Sequence, residues 1–133
     1  MKAIIVLDAL ENRAKVQRVG EDADIMRTIY RLIGCDCVQM LPLYPNRIPK
    51  GFLALCDENT YGKAEIFNPL ASWIHGADEH GQPICNNVIV WKEIPEDVDF
   101  MTAEEARQIC KDLNDRADEI FDLTMFAVTG ARQ

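Results

Sequence analysis

The chain has little of what most enzyme signatures require. It contains a single serine, Ser72, and two histidines, His75 and His80. Ser72 falls inside an expected helix and not on a G-x-S-x-G elbow, so a serine hydrolase is not expected. There is no G-x-G-x-x-G or Walker loop, and the Gly-Lys pair at 62–63 lacks the preceding glycine of a phosphate cradle. No C-x-x-C pair occurs, which removes the commonest zinc and redox spacings. No stretch of apolar residues reaches the roughly 18 needed to cross a bilayer. The opening MKAIIVLDAL is cut by Asp8 and has no small-residue cleavage site, unlike a secretory leader. The expectation is a soluble protein of a reducing bacterial cytoplasm.

Basic charge is also scarce. Lys and Arg number 14 against 22 Asp and Glu, and residues 61–133 carry all of the net −8. A field of that sign repels phosphate backbones and anionic lipid, so neither direct nucleic-acid binding nor membrane contact is expected. It draws basic partners, such as the nucleic-acid-binding face of another protein. The simpler reading is that the acid keeps a small protein soluble.

The 133 residues suit a single domain, 1–133, with one core that needs no staples. Cys35, Cys37, Cys56, Cys85 and Cys110 are odd in number and sit in apolar segments, unlike a disulfide framework. The run KAIIVL reads as a strand covered on both faces, and residues 14–19 as its hairpin partner. Ile25, Ile29, Ile33 and their neighbours form a helical stripe closed by Gly34. CDCVQML reads as a strand, which places Cys35 and Cys37 about 6.5 to 7 Å apart on one face, too far to share a zinc ion in extended form. A turn there, with Cys56, Cys85, His75 and His80, is the metal-binding alternative; buried thiols acting as small hydrophobes are the simpler one.

Three prolines make PLYPNRIPKG a stiff connection in which Tyr44, Arg47 and Lys50 can bind at low entropic cost, or which merely covers a sheet edge. GFLALC and AEIF read as strands, ADEHGQP as a loop and ICNNVIVW as a strand with an irregular start. NPLASWIHG predicts a two-turn helix capped by Asn68, opened by Pro69 and stopped by Gly76, with Leu70, Trp73 and Ile74 inward. After the acidic connection KEIPEDVDFM, Thr102 and Glu105 form a capping box opening a long helical segment over 101–127. Its seam of Ala106, Cys110, Leu113, Ala117, Ile120, Thr124 and Ala127 suits packing on a sheet or a homodimer, and residues 128–133 read as a frayed tail. The order of two strands, a helix, several strands and then a helix indicates an α+β fold with a mostly antiparallel sheet.

Chemistry centres on HGADEHG, where His75 and His80 flank Asp78 and Glu79; a solvated, mobile loop is the simpler reading. Asp57, Glu58 and Asn59 lack EF-hand spacing and read as a hairpin end. No catalytic residue, metal or cofactor is assigned.

Taken in order, MKAIIV, IGCDCVQMLPL, LALCDENTYGKAEIFNPLA, ICNNVIVW and DFMTAEEARQI resemble a family of small phage, plasmid and bacterial proteins, domain of unknown function 3846. The likeness spans residues 1–112. The chain departs from it at Cys35 in place of a second glycine, at Tyr61 before the Gly-Lys pair, in the loop at 76–83 and in the helical tail. The resemblance implies a mobile-element origin and carries over no site residues. The expectation is a non-enzymatic acidic protein that docks on a host protein such as a defence or nucleic-acid-processing factor, with Tyr44, Arg47 and Trp73 as anchors. The alternative is a small-molecule sink or small enzyme in which Arg47, Lys50, His75 and His80 face a nucleotide-like anion.

Overall fold

The structure, a computed structural model, describes residues 2–20, 24–59, 63–92 and 102–129. Five strands, β1 (Lys2–Asp8), β2 (Arg13–Val19), β3 (Val38–Leu41), β4 (Phe52–Asp57) and β5 (Val88–Lys92), form one sheet in the order β2-β1-β5-β4-β3. Every pairing is antiparallel. Helices α1 (Ile25–Ile33), α2 (Pro69–His75), α3 (Ala77–His80), α4 (Ala103–Asp115) and α5 (Ala117–Thr129) complete a single α+β domain.

The apolar run of β1 explains its central place. Successive side chains point to opposite faces, and both faces are covered. Ile4 and Val6 pack under Ile29 and Ile33 of α1. Ala3, Ile5 and Leu7 pack under α2, α4 and α5 on the other side. Each fully buried Ile or Leu contributes about 1.5 to 3 kcal/mol by leaving water.

The local signals behave as their chemistry dictates. Asp24 caps α1 by accepting from Met26 and Arg27, and Gly34 ends the helix in the left-handed conformation at φ 82°. Asn68 is fully buried and does three things at once. Its Oδ1 accepts from Ala71 N–H (3.0 Å) to cap α2, while its Nδ2 donates to Leu7 O (3.0 Å) and Asn86 O (2.8 Å). The Thr102–Glu105 capping box opens α4.

Five expectations are corrected. CDCVQML becomes a strand only from Val38; Cys35 packs partly buried beside α1, and Cys37 is exposed. AEIF contributes a single bridge, Phe67 to Cys85. ICNNVIVW pairs as a strand only from Val88, because Asn86 sits at φ 68°. ADEHGQP contains α3, a single turn held between Gly76 and Gly81.

The long C-terminal helix is two helices. The break falls at Arg116 (φ −107°, ψ 10°), where α4 leaves the sheet and the chain turns so that α5 packs on α2 and α3. Ile120 and Thr124 are buried there, so the heptad seam is spent inside the molecule, and α5 continues through Thr129. The expected connection at 93–101 and the tail at 130–133 lie outside the described residues.

Candidate functional site

Three of the singled-out side chains meet where the proline loop crosses α2. Tyr44 N–H donates to Ile74 O (2.7 Å), which fastens the loop to the helix end. Gly76 follows at φ 91°, and a Cβ there would lie 2.5 Å from Tyr44 Cδ2, so the ring occupies the space a side chain would need. Arg47 is stacked between aromatics, with its guanidinium carbon 4.4 Å from the Tyr44 ring centre and 4.8 Å from that of Trp73. Its Nη1 donates to Trp73 O (2.7 Å) and to Asp78 Oδ1, and its Nη2 donates to Asp78 Oδ2 (2.9 Å).

This bidentate pair is shielded, with side-chain exposures of 14% for Arg47 and 16% for Asp78. The Arg47 hydrogen bonds hold the Asp78 carboxyl below its ordinary range, against the opposing pull of burial. Arg47 was expected to face a partner or anion; its donors are instead turned inward to fasten loop to helix.

The histidines are likewise engaged. His75 Nδ1 lies 2.7 Å from Pro42 O, which can only accept, so that nitrogen carries the proton. His80 Nε2 donates to His75 O (2.9 Å), and His80 Nδ1 accepts from Gln82 N–H (3.1 Å). The two rings meet edge to face at 4.7 Å. The segment expected to be a mobile loop is thus a hydrogen-bonded turn. Lys50 is exposed and does not line the cleft described next.

Beside this cluster lies a cleft of about 190 Å3 between the proline loop and the α4–α5 corner. Ile48, Trp73, Ile109, Leu113 and Ile120 supply apolar walls. Three charged side chains also line it: Arg47, Asp112 and Arg116. Arg116 stacks 4.9 Å over Trp73 and is held by Glu119 (3.1 Å), as Arg47 is held by Asp78. Among the described residues Asp112 accepts from Gln108 Nε2 (2.9 Å), and no ion pair reaches it.

The outer side of α5 adjoins this corner. Phe121, Leu123 and Phe126 are exposed, Phe126 by 76%, and the exposed acids Asp118, Glu119 and Asp122 are interleaved with them. At 3.6 residues per turn, Asp118 and Asp122 form a ridge with Phe121 on one flank and Leu123 and Phe126 on the other. Sequence reading missed this face because it assigned the segment's apolar residues to a single seam.

Thiol and carboxylate chemistry is subdued elsewhere. Burial raises the Cys35, Cys56 and Cys85 thiols and pushes Cys110 up to about 11, so these stay protonated at neutral pH. Asp57 is taken up by Lys63 (2.6 Å) and Asn59 N–H (2.9 Å), as a hairpin end rather than a cation site. Among the described residues, His, Cys, Asp and Glu side chains do not gather in groups of three or more that could hold a metal ion. Among the same residues no helix is long and apolar enough to cross a membrane.

Comparison of the chain with protein-family models, curated proteins and solved structures finds no match.

Proposed function

We propose that this chain is a non-enzymatic docking protein of a phage or plasmid that binds a host protein through its C-terminal helices. The observation carrying this reading is the outer face of α5, where exposed Phe121, Leu123 and Phe126 are interleaved with Asp118, Glu119 and Asp122. Exposed apolar groups rimmed by charge mark protein contact surfaces. The sign of the rim selects a basic, apolar partner surface, the kind that handles nucleic acid, and disfavours a second copy of the same acidic face. The resemblance to domain of unknown function 3846 supports the mobile-element origin.

The test starts from a polypeptide that co-purifies with the chain from its host. Titrated as pure components, it should bind at least tenfold more weakly at about 300 mM than at about 50 mM salt, because exposed charges more than about 5.5 Å apart are then screened. Replacing Leu123 and Phe126 together by Ser should remove the binding. A partner indifferent to both changes overturns the reading. A bare chain that retains a metabolite in native mass spectrometry favours the small-molecule alternative instead.

A further inference from the structure

The cleft at the α4–α5 corner has a size and a charge that specify an occupant. An engineered apolar cavity of about 150 Å3 takes up benzene, so about 190 Å3 suits one aromatic ring and little more. Its walls are aliphatic with one indole, surfaces against which a ring packs well. Of the three charged side chains lining it, Arg47 and Arg116 are already neutralised by Asp78 and Glu119. Asp112, which makes no ion pair among the described residues, leaves a negative charge at the rim of the cleft.

We infer that this cleft seats one aromatic side chain of the docked partner, with a Lys or Arg adjacent to that aromatic reaching Asp112. The inference rests on the docking reading and adds the residue chemistry the partner presents: a ring beside a cation on a basic segment. The ring enters between Ile48 and Leu113, beside the Trp73 indole on which Arg47 and Arg116 already stack. The cation approaches Asp112 from solvent, where the pairing discriminates by sign more than it adds affinity.

The chain has two tryptophans, so its indole N–H resonances separate Trp73 in the cleft from Trp91 in β5 on the opposite face of the sheet. Titration with the capped dipeptide N-acetyl-Phe-Lys-amide should shift the Trp73 resonance saturably and leave that of Trp91 in place. The Phe-Glu analogue should bind more weakly, and Asp112→Asn should lower affinity for the Phe-Lys probe about twofold to fivefold.

A Trp73 resonance that stays still up to about 10 mM probe, weaker than any affinity useful for an anchor, overturns the inference. So does equal binding of the Phe-Glu analogue. Phenethylamine binding tenfold better than the dipeptide overturns the partner as source of the ring and makes a free arylalkylamine the occupant. Leu123 and Phe126 do not line the cleft, so the two ideas fail separately. Loss of the partner on their replacement with a silent Trp73 leaves docking standing without the anchor. A responsive Trp73 with no salt-dependent partner overturns docking and the partner's ring together.

Discussion

At the scale of single residues, the interactions that decide the candidate site run between groups far apart in the chain. Arg47 and Asp78 are 31 positions apart, yet their pairing closes the proline loop over α2 and α3. The folded Asp78 carboxyl titrates below its unfolded value of about 3.9, so on acidification the unfolded chain takes up the proton first. The stability this pair contributes is therefore full above the unfolded value and is lost as pH falls through the folded one. Asp78→Asn should lower stability at neutral pH by about 2 kcal/mol, since it weakens a charge-assisted pair that is largely shielded from water. It should also flatten part of the acid slope in urea unfolding measured from about pH 7 to pH 3. Some slope will remain, because Lys92 also holds Glu105 below its ordinary range. An unchanged slope in the variant would show that Asp78 is not a source of the acid sensitivity.

At the scale of elements, short side chains pin helices to strands. Asn114, near the end of α4, accepts from Ala14 N–H (2.8 Å) and donates to Ala14 O (2.9 Å). The amide thereby supplies to the open side of edge strand β2 the two bonds a further strand would give there. Asn114→Ala leaves both backbone groups of the buried Ala14 without this partner, and should cost about 2 kcal/mol in chemical denaturation. Hydrogen exchange at the Ala14 amide should accelerate far more than at the central β1 amides. Equal acceleration at both would mean the bond pair is unimportant locally. Two residues beyond Asn114 the chain turns at Arg116 and carries Ile120 and Thr124 under α2 and α3.

At the scale of the whole molecule, the layers bury most large apolar side chains among the described residues; Leu10 and Met40 stay exposed elsewhere, while the outer side of α5 gathers three. Its acids oppose a second copy, since an isologous dimer would set Asp118 and Asp122 of one chain near those of the other. Sedimentation at about 50 mM salt should return the mass of a single chain, because repulsion acts over roughly 14 Å at that ionic strength. A dimer already present at low salt would assign the face to self-association and count against docking on a basic partner.

Much of the architecture was legible because it is local. The both-sided burial of β1, the amphipathic stripe and Gly34 stop of α1, the Asn68-Pro69 opening and Gly76 stop of α2, and the Thr102–Glu105 box all depend on residues within a few positions of one another. The antiparallel sheet followed from how such elements succeed one another. Which way a functional-looking side chain turns was decided only by tertiary contact. Arg47 and His75 read as binding groups until Asp78 and Pro42 are brought beside them, and the cleft exists only because Trp73 meets Leu113 and Arg116. Backbone propensities are set by neighbours in sequence, whereas hydrogen-bond satisfaction and cavities are set by neighbours in space.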